Sequence, residues 1–113
     1  MPKVTEFRLP VLGASLETTA SVFDRLVFEV EEACAANDLW ELDTENLEGI
    51  RVRTGHGGFF MVRKSLHDPL ISVQVEGDSE DEIRRIVTEP ILRLLDSDEG
   101  LFNALDCNIL RNF

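Results

Sequence analysis

The chain has 113 residues, 43% of them hydrophobic, with 22 acidic against 11 basic side chains and a formal net charge of −11. That size and composition exclude a disordered chain and give one domain over residues 1–113, with its core over 4–96 and a tail over 97–113. Nucleic acid is excluded as a partner because it needs cations spread along a phosphate track, and a membrane because no apolar run approaches the roughly 18 residues that span one.

In chain order, residues 4–11 are the first expected strand, with Phe7, Leu9 and Val11 alternating with Glu6, Arg8 and Pro10. Pro10 has no amide to donate, which ends the strand or puts it at an edge. Residues 12–15 turn the chain. A helix over 19–36 follows, carrying Val22, Phe23, Leu26, Val27, Val30, Ala33 and Cys34 at three- and four-residue spacing, with Asp24, Glu29, Glu31 and Glu32 opposite. Asn37 is its stop signal. Residues 38–48 are polar and acidic, interrupted by Leu39, Trp40, Leu42 and Leu47, and read as a connecting loop anchored by an aromatic.

Two short strands, 49–54 and 59–63, flank the hairpin turn Gly55-His56-Gly57-Gly58. The second is apolar enough to be central in a sheet. A fourth strand covers 70–76, with Ile71, Val73 and Val75 on one side and Ser72 and Gln74 on the other. Ser79-Glu80-Asp81-Glu82 is a capping box, in which Ser79 takes the amide of Glu82 and the Glu82 side chain reaches back. The helix it opens buries Ile83, Ile86, Val87, Ile91, Leu94 and Leu95, and Pro90 should kink or split it. Residues 101–113 have apolar side chains without a period and should pack across the domain. The order β-α-β-β-β-α predicts an α+β, two-layer fold: a four-stranded, mainly antiparallel sheet with two helices on one face.

One stretch departs from the acidic background. Residues 49–67 hold no carboxylate, yet they contain Arg51, Arg53, Arg63, Lys64, His56 and His67 and run into the turn Arg63-Lys64-Ser65-Leu66-His67-Asp68-Pro69. Repulsion among like charges makes such an island costly unless an anion meets it. Phosphate recognition favours a guanidinium fork, a hydroxyl donor and backbone amides in a tight turn. Arg63 leaves a strand end, Ser65 follows on the same side, Leu66, His67 and Asp68 offer amides, and Pro69 stiffens the exit. The residues alone leave two readings open, a site for a small anion or a basic strand end paired with surface carboxylates. His67 beside Asp68 is either a protonated donor to that anion or an exposed polar residue, and His56 is a turn residue. The acids at 78–82 follow from capping and the helix dipole, without the ligand spacing of a calcium loop. Cys34 and Cys107 form no Cys-x-x-Cys pair and two histidines are too few for a zinc pattern, so buried, reduced thiols are expected.

At these residues the sequence resembles the C-terminal domain of the α-D-phosphohexomutases, the family of phosphomannomutase, phosphoglucomutase and phosphoglucosamine mutase. The resemblance runs in order from Glu48-Gly49-Ile50-Arg51-Val52, through Gly58-Phe59-Phe60-Met61-Val62-Arg63-Lys64-Ser65 and His67-Asp68-Pro69, to the strand 70–76 and the acidic helix start 79–82. The Leu66-His67-Asp68-Pro69 form and the tail Leu101-Phe102-Asn103-Ala104-Leu105-Asp106 are similar to a divergent branch, with His67 where the family usually has threonine and Asp68 where it often has glutamate. Thr88-Glu89-Pro90 matches the letters of the family's loop motif but lies within the second helix.

The resemblance implies a helix-backed sheet of the TATA-box-binding-protein-like kind, whose loop closes over an active site and grips the phosphate of a phosphosugar. It makes Arg63 and Ser65 the main phosphate ligands, with Lys64, Leu66 and His67 beside them and no catalytic residue in this chain. The family's phosphoserine loop, magnesium loop and sugar-selecting loop belong to three other domains and are not found here. The resemblance thus implies a hexose phosphate or inorganic phosphate as ligand, the remaining mutase domains as partners, and no cofactor bound by this domain, with Mg2+ in the complete enzyme. A cytoplasmic setting is the default, or an organelle if the chain belongs to a larger precursor. The alternative is a stand-alone interaction or regulatory module on the same fold, without phosphosugar binding.

Overall fold

Alternation of apolar and polar residues in four stretches demands a sheet with one dry face and one wet face. The computed structural model, which describes residues 2–13, 15–43 and 49–113, has that arrangement in an α+β fold. Among the described residues the strands are β1 (Lys3–Pro10), β2 (Glu41–Asp43), β3 (Ile50–Gly55), β4 (Gly58–Lys64) and β5 (Leu70–Gly77). They lie in the order β1-β5-β4-β3-β2, and every neighbouring pair is antiparallel. Residues opposite one another in such a ladder share a face. The inner face is therefore built of rows: Phe7, Val73, Val62 and Ile50 in one, Val75, Phe60, Val52 and Leu42 in the next. All of these but the half-buried Leu42 are buried. The outer face carries the row Arg8, Ser72, Arg63, and beside it the row Glu6, Gln74, Met61, Arg51, Asp43.

The sheet has five strands rather than the expected four, because Glu41–Asp43 pairs with β3 in the segment expected to be a loop. Three residues are too few to show a period, but they alternate correctly, with Leu42 inward and two acids outward. Residues 44–48, with Leu47 and Glu48 among them, lie outside the described residues, as do Met1 and Ala14 of the expected turn. The hairpin forms as expected. His56 and Gly57 both have positive φ (51° and 78°), the geometry whose twist matches the flanking strands.

Helix α1 (Leu16–Ala36) starts three residues before the expected position 19. Its apolar stripe begins at Thr19, but the cap lies earlier: Ser15 Oγ accepts the Thr18 amide at 3.2 Å. Leu26 and Val30 are buried in the core shared with the sheet. Pro90 splits the second helix into α2 (Glu80–Ile83), a π-helical segment Arg84–Thr88 and α3 (Glu89–Ser97). Proline offers no amide to the Ile86 carbonyl four residues back. The buried Trp40 indole supplies the missing donor, Nε1 to Ile86 O at 2.8 Å, while its ring packs edge-on against Phe60, 4.8 Å between centroids. Wider winding over 84–88 makes room for the proline, the usual role of a π-bulge. Of the expected capping box, Ser79 Oγ accepts the Glu82 amide at 3.1 Å. The return bond from the Glu82 side chain does not form among the described residues.

The stretch after residue 97 is structured. Helices α4 (Glu99–Ala104) and α5 (Asn108–Arg111) bring Leu101, Leu105, Cys107 and Leu110 into the core. Leu105 bridges Val11, and Phe113 meets Phe7 edge-on at 5.1 Å. Asp98 caps α4 through the Leu101 amide at 3.1 Å and ties it to α1 by accepting from Arg25 Nε at 2.7 Å. Both cysteines are free thiols. Cys34 is half-buried with its pKa raised by burial, and burial pushes Cys107 up to about 11. No helix among the described residues is long and apolar enough to cross a membrane.

Two outcomes follow for stability. Trp40→Phe keeps most of the ring packing but leaves the Ile86 carbonyl without a donor, and should cost about 1–3 kcal/mol in denaturant titration. Adding Pro90→Ala, which returns an amide near that carbonyl, should recover part of the loss; strictly additive effects would refute this account. The Arg25 hydrogen bond, with the Leu101 amide, holds the Asp98 carboxyl below its ordinary pKa. Its contribution is present above the unfolded value near 4 and is lost as pH falls through the lower folded value. Asp98→Asn should therefore flatten the loss of stability below about pH 4 in acid denaturation.

Candidate functional site

The β4–β5 connection is held by its own backbone. The Ser65 amide donates to Leu70 O at 3.0 Å, the Leu70 amide to Asp68 O at 2.8 Å, and the Val11 amide to Pro69 O at 2.8 Å. The last bond fixes the end of β1 to the loop. Ser65 Oγ accepts the Asp68 amide at 3.2 Å and, more loosely, the His67 amide at 3.4 Å. Two amides expected to face an anion are thus turned inward onto Ser65. The hydroxyl accepts from both, which leaves its own proton free of these two bonds and strengthens it as a donor.

Arg63 Cγ passes close to Gly49. A Cβ built there would stand 2.3 Å from the Val62 carbonyl oxygen and 3.2 Å from Arg63 Cγ, so only glycine lets the arginine stem lie this close. Above the loop end of the outer face opens a cleft of about 530 Å³, lined by Glu6, Arg8, Arg63, Ser65, Leu66, His67 and Ser72. Arg63 and Ser65 therefore do meet at one concavity, with His67 and the exposed Leu66 at its rim. Lys64 also borders it, although its register partner Ile71 places it on the inner face, opposite to Arg63.

Two other arginines of the stretch pair with carboxylates of β2. Arg53 Nη2 lies 2.9 Å from Glu41 Oε1 and Nη1 3.4 Å from Asp43 Oδ2. Arg51 Nε is 3.5 Å from Asp43 Oδ2, and its guanidinium sits 4.0 Å over the Phe59 ring. For these two arginines the carboxylate-paired reading is the correct one. A larger concavity of about 640 Å³ lies at the hairpin end, where Arg51, Arg53 and Arg85 face Asp38, Glu41, Asp78 and Glu82. Its carboxylates outnumber its arginines, so it is a poorer place for an anion than the smaller cleft. Among the described residues, no group of three His, Cys, Asp or Glu side chains could hold a metal ion.

Compared with protein-family models and with curated proteins, the chain matches none. The site therefore rests on its own geometry.

Sequence reasoning missed Arg8 and Ser72. Alternation puts each on the polar side of its strand. Nothing in the sequence says that β1 lies against β5, or that the register sets Arg8 opposite Ser72 and Ser72 opposite Arg63. Ser65→Ala should release the His67 and Asp68 amides, costing about 0.5–1.5 kcal/mol. Hydrogen exchange at those two amides should accelerate while the Ser65 and Leu70 amides change little.

Proposed function

We propose that this chain is a phosphosugar-binding module, the C-terminal domain of a phosphohexomutase, on a TATA-box-binding-protein-like fold in the cytoplasm. The observation that carries the reading is the meeting of Arg63 and Ser65 at one cleft. A guanidinium and a hydroxyl so placed bind two different oxygens of one phosphate group. Fixed by β4 and by two loop amides, they require little reorganisation on binding, and positioning of this kind is what phosphoryl transfer needs from a protein.

In the complete enzyme this domain would hold and orient a hexose phosphate. A magnesium-dependent phosphoserine on another domain would exchange the phosphate. Magnesium there supplies charge neutralisation at the transferring group, and the residues of this chain supply only grip and orientation. The remaining mutase domains would be its partners.

Titration of the chain with inorganic phosphate or glucose 6-phosphate, followed by backbone amide resonances, tests the reading. Shifts should concentrate between residues 63 and 69, and Arg63→Ala should abolish them. Shifts spread evenly over the surface would refute phosphate binding at this loop and favour an interaction module that uses the uncovered sheet face.

A further inference from the structure

The geometry points to Arg8 as a second guanidinium of the same site, so that the cleft selects a phosphate monoester dianion over a singly charged diester. This inference rests on the phosphate reading of the Arg63–Ser65 loop. Arg8, Ser72 and Arg63 form one row across three hydrogen-bonded strands on the outer face, and all three line the cleft. Neighbouring strands are about 4.8 Å apart, which puts the two arginine backbones about 10 Å from each other. Two long side chains leaning together across that gap can bracket one tetrahedral anion. Ser72 lies between them on the wet face and is nevertheless only 8% exposed, a hydroxyl at the floor of the cleft.

Charge supports the same assignment. In a protein of net charge −11, Arg8 makes no ion pair among the described residues, nor do Arg85 and Arg93, and of these three only Arg8 lines this cleft. Glu6, two residues along β1 on the same face, also lines the cleft and makes no ion pair with Arg8. Its carboxylate opposes any anion in the cleft, so the dianion is favoured only through the two guanidiniums, and it leaves an acceptor for a ligand hydroxyl. The frame is stiff at the required place, because the Val11 amide bonds Pro69 O and locks β1 to the loop. A dianion between two guanidiniums gains from both, while a diester monoanion loses about half of that attraction and an acceptor oxygen.

The test is a resonance titration of the full chain at pH 8 and low salt, with methyl phosphate as the dianion and dimethyl phosphate as the monoanion. The protein should bind methyl phosphate about tenfold more tightly than the diester, with shifts at residues 8, 63–69 and 72. Arg8→Gln should weaken methyl phosphate about tenfold, a typical loss for one charge-assisted hydrogen bond, and should erase most of the preference while leaving loop shifts in place. Arg8→Lys should restore part of both. Arg63→Ala should abolish binding of either ligand. Loop binding that is unchanged in Arg8→Gln, with the monoester preference intact, would overturn the role of Arg8 and leave the phosphate reading standing. Absence of any binding by the parent protein would overturn both. Arg8 is exposed on the outer face, and an unchanged amide spectrum of the free variant separates lost binding from lost fold.

Discussion

The hydrogen bond from the Trp40 indole to the Ile86 carbonyl is the point on which the arrangement of charge and cleft depends. Pro90 interrupts a helix that must stay long enough to cover the sheet, and the carbonyl it orphans is buried. An unsatisfied buried carbonyl costs about 1–3 kcal/mol, a large share of a small domain's stability. Trp40 meets that demand from outside the helix and inserts its ring against Phe60 at the centre of the sheet. The chain that follows Trp40 is thereby held at the sheet edge, where Glu41–Asp43 adds as β2.

That strand decides how the positive charge is shared out. Glu41 and Asp43 fall opposite Arg53 and Arg51 by register, and the four form a cross-strand network on the outer face. Such pairs are individually weak, each worth about 0.2–1 kcal/mol. Their larger effect is on the field. Arg51 and Arg53 are matched by β2 at one end of the sheet, while Arg8 and Arg63 flank Ser72 across the strands at the other. The charge anomaly spread over residues 49–67 thus resolves into a balanced edge and a cationic cleft.

The loop at that cleft is organised by the same economy of polar groups. Ser65 could use its hydroxyl oxygen either to hold the turn or to meet a ligand, and it does the first while keeping its proton for the second. Gly49 is needed for steric rather than conformational reasons, because a side chain there would run into the Val62 carbonyl. Gly49, just before β3, thus lets the chain pass close to the end of β4 beside Arg63.

By itself the sequence determined everything that depends on local period and local chemistry. The alternation of Phe7 and Leu9, of Ile71, Val73 and Val75, the helical stripe of α1, the glycine hairpin and the caps at Ser79 were all legible, because each is decided within a few residues. So was the concentration of arginine, serine and histidine in the β4–β5 loop. Tertiary structure alone decided what depends on pairing between distant segments. Glu41–Asp43 is too short to announce itself and becomes a strand only because β3 and Trp40 hold it. Residues 101–113 carry no period because α4 and α5 are short and each buries a few side chains, α4 against α1 and α3 and α5 against β1. Arg8 joins Arg63 only through the order β1-β5-β4, and strand order is a property of the whole core, since every apolar face must be buried at once.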